Sequence, residues 1–145
     1  PVQIVGEVIG NGVAGSAEWA NYLTKTYECI IVPIVGENDT LLVAGQIHWR
    51  MPYAMTITDV RISTTVAPAN QAIIIDVGDD GVSIFTTKPQ IDVGDLSSTL
   101  SGTPAVISNS SVADDSSMAI TVSQTGTPTE FAGTAVKAYI LGYRT

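Results

Sequence analysis

The chain has 145 residues, a formal net charge of −8 and a single cysteine, with 45% hydrophobic and only 14% charged residues. This length suits one ordinary domain with a self-supporting core. The six cationic residues are scattered singly, so nothing resembles a basic patch for phosphates, and nucleic-acid binding is not expected. No apolar run approaches the ~20 residues of a membrane span, and no signal-peptide pattern opens the sequence. A start at proline suggests a complete small protein from which the initiator methionine was removed.

Residues 1–26 are predicted to form an N-terminal arm that contains a short helix or turn. The apolar start of this arm consists of Val2, Gln3, Ile4 and Val5. A glycine-rich swivel at 10–16 follows it, and the combination suits strand addition to the open sheet edge of another chain. Pairing of residues 2–8 within their own domain is the alternative. Ser16 is placed to cap a helical segment at 17–23.

From residue 27 onward, strand signals follow one another at short spacing and are separated by Gly, Pro, Asn or Asp. Within the strands, Val and Ile alternate with polar residues, which gives each sheet one dry face. The sequence therefore predicts an all-β domain over 27–145, an antiparallel β-sandwich or jelly roll of about eight strands. The predicted strands are 27–35, 41–49, 55–66, 72–77, 82–87, 105–108, 118–124 and 135–143.

Two connections and one cysteine carry further expectations. The segment 77–82 contains Asp-Asp-Gly and is the strongest hairpin signal, because Asp and Gly tolerate the positive φ of tight β-turns. The segment Ser97–Asp115 is rich in Ser, Thr, Gly and Pro, and predicts a long, irregular surface connection with one short strand. Cys29 lies in an apolar run and is expected to be a buried, inert thiol.

The sequence offers no catalytic constellation. His48 is the only histidine, and it occupies a strand in which Ile47 and Trp49 are expected to face the opposite side. An isolated imidazole without a cysteine nearby gives little support for a hydrolase or for a transition-metal site. The chain is therefore not expected to be an enzyme or to carry a cofactor, apart from the possibility of Ca²⁺.

Aspartates are the candidate ligands for Ca²⁺, because the string Asp-Val-Gly-Asp occurs twice. The four residues concerned are Asp76, Asp79, Asp92 and Asp95. Asp114 and Asp115 form a further acidic pair. The spacing differs from that of an EF-hand loop, and Gly-Asp pairs are also what β-turns require for backbone reasons. Turn formation is thus the default interpretation of both strings.

The aromatic side chains are distributed over the whole chain and do not form a visible sugar-stacking platform. They include Trp19, Tyr22, Trp49, Tyr53, Tyr139 and Tyr143. Most of them are expected to be core or subunit-interface residues.

Several strings between about residues 45 and 142 carry a resemblance. Residues 50–61 read RMPYAMTITDVR, residues 91–95 read IDVGD, and residues 133–142 read GTAVKAYILG. Further matches are Ser63, Thr64, Ala67, Pro68, Ile74–Val77, Ser83, Ile84 and Ala113–Asp115. Together they resemble a small β module found widely in proteins of tailed bacteriophages. The resemblance implies a jelly-roll unit of virion structural proteins, commonly trimeric, and it does not cover the first 44 residues.

This resemblance implies a head decoration, or cement, protein that forms a homotrimer on the outer surface of the virion capsid. Its partner would be the major capsid protein, bound at a symmetry-generated site, and neither nucleic acid nor membrane is expected as a partner. The alternative function is a receptor- or glycan-binding tip of a tail or head fibre. That function would use the Ser97–Asp115 loop and exposed aromatic residues to hold host glycans.

Overall fold

A computed structural model describes residues 25–36, 39, 46–124 and 134–145. The predicted arm residues Val2–Val5 and the predicted helix at 17–23 lie outside the described residues. The strands of the described part are β1 (Tyr27–Pro33), β2 (Gln46–Arg50), β3 (Met55–Ser63), β4 (Ile73–Asp79), β5 (Val82–Ser83), β6 (Phe85–Thr87), β7 (Gln90–Ile91), β8 (Val106–Ile107), β9 (Ser111–Val112), β10 (Ser117–Gln124) and β11 (Lys137–Arg144). A single turn of 3-10 helix, Ser98–Leu100, interrupts the long connection in this part of the chain.

The strands form two larger antiparallel sheets and one small one. The first sheet has the order β1-β11-β3-β9, and the second has the order β2-β10-β4-β5, with β7 also paired to β4. Strands β6 and β8 make a separate two-stranded sheet. Every pairing is antiparallel. This arrangement confirms the predicted all-β, sandwich-like fold.

Alternation along the central strands builds the core between the two larger sheets. Ile62 of β3 and Ile140 of β11 are fully buried, and they share one hydrophobic cluster with Ile75 of β4 and Ile120 of β10. Each such side chain contributes about 1.5–3 kcal/mol when it leaves water. Residues between them, such as Arg61, face outward. The predicted facing of these strands is therefore confirmed.

The predicted hairpin at 77–82 is confirmed as the connection between β4 and β5. Its two central residues, Asp80 and Gly81, have φ values of 48° and 85°. Aspartate and glycine tolerate this left-handed conformation, and consecutive positive φ angles match the twist of the strands that the turn joins. The Asp-Asp-Gly string thus forms the turn through the backbone conformations of Asp80 and Gly81, and the Asp80 carboxylate also accepts from the Ser117 N–H at 3.0 Å.

The predicted strand 82–87 is divided at Ile84 because the chain changes sheets there. The backbone N–H of Ile84 donates to the Val77 carbonyl of the second sheet at 2.9 Å. The Ile84 carbonyl accepts instead from Ser108 at 2.8 Å, beside the small β6–β8 sheet. One residue therefore bonds in two directions, which an uninterrupted alternating pattern does not reveal.

The prediction that Cys29 is buried was wrong. Cys29 is exposed on β1, where the alternation turns Ile30 and Val32 toward the core and leaves Cys29 and Ile31 outside. A run of four apolar residues suggested burial on both faces. In the described structure β1 lies at the end of the first sheet, and only its inner face is covered by the second layer.

Candidate functional site

The two identical Asp-Val-Gly-Asp strings adopt different structures. The first lies within β4, where Asp76 accepts a hydrogen bond from Ser83 Oγ at 2.6 Å and pairs with Lys88 Nζ at 2.9 Å. Asp79 accepts a hydrogen bond from the buried hydroxyl of Ser116. These contacts tie β4 to its neighbouring segments, so both carboxylates have structural partners.

The second string forms a β-turn, as its default interpretation predicted. The N–H of Asp95 donates to the Asp92 carbonyl at 3.0 Å, and Gly94 has a φ of 89°. The Asp92 side chain accepts hydrogen bonds from the Gly102 N–H at 2.9 Å and from Gln90 Nε2 at 2.5 Å. These donors, chiefly the Gly102 amide, lower the pKa of Asp92 below its usual value. Asp92 thereby holds the following loop in place.

The described residues contain no group of three or more His, Cys, Asp or Glu side chains arranged to hold a metal ion. Of the further acidic pair, Asp115 is exposed, has a φ of 59° and provides a carbonyl that accepts from Arg50 at 2.9 Å. Calcium binding by the four aspartates stays a prediction.

His48 lies on the exposed face of β2, and Ile47 and Trp49 point toward the core, as predicted. Its Nε2 atom lies 3.2 Å from Oε1 of Gln46 on the same strand. The remaining described aromatic candidates have mixed positions. Trp49 and Tyr53 pack against the core, whereas Tyr139 and Tyr143 occupy outward positions on β11.

A surface pocket of about 280 Å³ lies where the long connection crosses β3. Its lining residues are Asp59, Val60, Arg61, Ser98, Thr99, Ser101, Pro104 and Ala105. The strand and the loop are joined here, because the Ile62 N–H donates to Ser98 Oγ at 2.9 Å. The Asp92–Gly102 hydrogen bond holds the far end of the same loop. Strand β3 forms one side of the pocket, and the loop that forms the other side is held by these two hydrogen bonds.

The polar chemistry of this pocket comes from an ion pair and several hydroxyls. Arg61 Nε donates to Asp59 Oδ2 at 2.7 Å, and both side chains are about half exposed. The hydroxyls of Thr99 and Ser101 complete the polar lining. A guanidinium, a carboxylate and hydroxyls together offer both donors and acceptors, a set that suits a neutral, hydroxyl-rich ligand. The composition of the loop predicts a surface position, but its packing against β3 depends on tertiary structure.

A second surface feature lies on the outer face of β1 and β11. Six outward residues form what we call the outer strip: Tyr27, Cys29, Ile31, Tyr139, Leu141 and Tyr143. Their register is direct, because Tyr27 lies opposite Tyr143, Cys29 opposite Leu141, and Ile31 opposite Tyr139. The Tyr27 and Tyr143 rings meet edge to face with centroids 5.9 Å apart. The alternation along each strand is visible in the sequence, but only the pairing of β1 with β11 shows that these six residues form one continuous surface.

Comparisons with known proteins add little to this description. No family model matches the chain, and no curated protein matches it. Among solved structures, the core of Drosophila NLP is similar to 82% of this chain over 96% of its own length, with 15% identity and a TM-score of 0.42. That structure is described as giving insight into pentamer formation and histone binding. Likeness at this level carries no argument about what the present chain binds. Within the described residues, no helix is long and apolar enough to cross a membrane.

Proposed function

We propose that the protein is a head decoration, or cement, protein of a tailed bacteriophage, which binds the outer capsid surface as a homotrimer and stabilises the shell. The resemblance of residues 45–142 to the phage β module carries this proposal. Two of its strings, 50–61 and 133–142, are distant in sequence and contribute to β3 and β11, which pair side by side. The resemblance thus falls on the adjacent central strands of one sheet, as expected of a shared module.

A two-layer body of this kind supports attachment in a simple way. Its buried cluster, which includes Ile57, Ile73 and Met118, gives a rigid scaffold that presents an outer surface for contact. In this proposal the apolar residues Val2–Val5 add a strand to an open edge in the capsid lattice, with the major capsid protein as partner. The protein then occupies the exterior of the virion.

Cosedimentation with expanded heads of the parent phage tests this function. The full chain is expected to pellet with the heads and to raise their resistance to heat or low salt. A chain that lacks residues 1–12 is expected to remain folded, by circular dichroism, and to bind more weakly. Failure of the full chain to bind heads would overturn the proposal, and undiminished binding of the shortened chain would remove the arm from it.

The pocket beside Arg61 favours a second candidate function, a glycan-binding tip of a tail or head fibre. Its lining includes Ser98, Thr99, Ser101, Pro104 and Ala105, which belong to the Ser97–Asp115 loop expected to hold host glycans. Arg61 and Asp59 are placed to hydrogen-bond sugar hydroxyls in that pocket. A glycan array separates the two functions. Tight sugar binding that Arg61→Ala abolishes, together with no binding to heads, would reverse their ranking.

A further inference from the structure

The outer strip differs from the scattered apolar residues elsewhere on the surface. Tyr27 and Ile31 are 62% and 56% exposed, and the solvent-facing thiol of Cys29 lies between them on the same strand. Leu141 and two tyrosines continue the strip on β11. Single exposed apolar side chains are normal, but a contiguous patch marks an interaction surface. We therefore expect a binding partner to cover the outer strip.

The charge of the chain indicates which occupant fits. A second copy also carries a net charge of −8, so two copies repel each other over most of their surfaces. The outward positions of β1 and β11 contain no carboxylate, since they are Tyr27, Cys29, Ile31, Pro33, Lys137, Tyr139, Leu141 and Tyr143. The nearest carboxylate on neighbouring β3 is that of Asp59, opposite Leu141, and it is paired with Arg61. Two acidic copies can therefore meet over β1 and β11 without an unpaired carboxylate in the contact.

A cationic group at one end of the outer strip favours the same occupant. Lys25 Nζ lies 4.4 Å above the centre of the Tyr143 ring. Positive charge beside an apolar patch attracts the acidic remainder of another copy. The side chain of Glu28, the one acidic residue of β1, is directed elsewhere and pairs with Arg144 at 2.7 Å.

The backbone of β1 adds a second means of association. Among the described strands, β1 pairs only with β11, so within the described part of the chain its other edge has no strand partner. An edge strand with apolar outward residues is suited to pairing with another chain. The apolar face and the edge adjoin each other, so one partner can cover both.

We propose that the outer strip and the adjacent edge of β1 are the surface through which copies of this chain associate. This inference deepens the proposed homotrimer but does not depend on the capsid, because it concerns the isolated protein. It places Cys29 and Leu141 at the centre of the subunit contact, with Ile31 and Tyr139 on one side of them and Tyr27 and Tyr143 on the other.

Sedimentation equilibrium of the full chain, over a range of concentrations, tests the inference directly. The wild-type protein is expected to self-associate, and Ile31→Lys is expected to raise the dissociation constant by about tenfold or more. The matched control is Val82→Lys, because Val82 is a strand residue with 64% exposure that lies in the second sheet. The control is expected to associate like wild type. Thermal melting confirms that both variants are folded.

Cys29 provides an independent readout, since it is the single cysteine and belongs to the outer strip. Maleimide labelling is expected to be slow in the assembled wild-type protein and faster on dilution. In the Ile31→Lys variant, slow labelling should require a protein concentration about tenfold higher or more. The Val82→Lys variant should show the slow, concentration-dependent labelling of wild type.

Each contrary result overturns the inference in a distinguishable way. A wild-type monomer at all concentrations would overturn it while leaving capsid binding open to the cosedimentation test. Association that resists Ile31→Lys, or that Val82→Lys weakens equally, would place the contact elsewhere. Should a monomer label slowly until residues 1–24 are removed, the occupant would be the N-terminal segment. Should Ile31→Lys abolish head binding by a monomer, the occupant would be the capsid.

Discussion

Gly142 of β11 lies so close to the carbonyl oxygen of Thr56 on β3 that no Cβ fits between the two strands. The β-bulge between Leu141 and Gly142 occurs at this point, and Gly142 is paired with Ile57 after the register shift. The terminal methyl group of Met55 also approaches the same position. Close approach of two backbones is one of the few situations that require glycine.

We predict that Gly142→Ala destabilises the protein by about 1–3 kcal/mol, because the added methyl forces the two central strands apart. Gly102→Ala is the matched control, since a Cβ at Gly102 meets nothing within 4 Å. The control is expected to change stability by no more than about 0.5 kcal/mol. Urea denaturation followed by tryptophan fluorescence measures both. Equal stability of the two variants would show that β11 can shift to accept the methyl.

We predict that Ile120→Asp prevents folding or lowers stability by about 3 kcal/mol or more, because a carboxylate would be buried without a partner. Ile120 is fully buried on β10 and pairs with Ile47 and Val77 on the two flanking strands. Ser123→Asp on the same strand is the control, because Ser123 is exposed and accepts from Lys88 Nζ. Circular dichroism melting should separate them clearly. Similar melting of Ile120→Asp and wild type would disprove the assigned facing of β10.

Asp92 links stability to pH. Its pKa is lowered in the folded state, so its ionised form stabilises the fold above the unfolded pKa of about 4, and this contribution disappears as pH falls through the lower folded value. Asp92→Asn is therefore expected to lower the melting temperature at pH 7, and this difference is expected to disappear as the pH falls below the folded-state pKa of Asp92. Asp114→Asn, at an exposed turn position, should follow wild type throughout. A pH-independent effect of Asp92→Asn would mean that the side chain acts through shape alone.

Arg144 connects the end of β11 to two other segments. Its Nε donates to Glu28 Oε1 at 2.7 Å, and its guanidinium carbon lies 4.0 Å from the centre of the Tyr53 ring. We predict that Arg144→Met costs about 1 kcal/mol, and that salt reduces this cost. Arg61→Met is the comparison, since Arg61 pairs with Asp59 of its own strand at an exposed position and its replacement should cost almost nothing. Equal costs for the two variants, from chemical denaturation at two salt concentrations, would contradict the bridging role of Arg144.

The fold class was accessible from sequence because it depends on local alternation. The strands around Val60, Ile120 and Ile140 carry the period-two pattern that decides which side chains enter the core. The two-residue strands β7 and β9 were missed, since two residues cannot display a period. Ile84 was misread because its hydrogen bonds divide between two sheets, which is a property of tertiary structure.

The surface features required the pairing of segments that are distant in sequence. The pocket joins Asp59 and Arg61 to a loop about forty residues later, and the outer strip joins β1 to a strand more than a hundred residues away. The burial of Cys29 was mispredicted for a similar reason. A short apolar run does not indicate whether one face or both faces of its strand are covered in the folded protein. The two identical Asp-Val-Gly-Asp strings show that a local string does not by itself determine whether a turn forms. One continues the alternating strand that begins at Ile73, and the other follows a two-residue strand and turns at Gly94.

The position of β11 has a consequence for the timing of folding. β11 is the last strand in this sequence, yet it lies in the interior of the first sheet between β1 and β3. During synthesis, β1 therefore emerges from the ribosome more than a hundred residues before its partner β11. Until β11 is available, the apolar inner face of β1 stays exposed to solvent. Contacts of such long sequence separation also slow folding, as is typical of sandwich proteins. Nascent chains should thus be most prone to aggregation just before residues 137–144 are released.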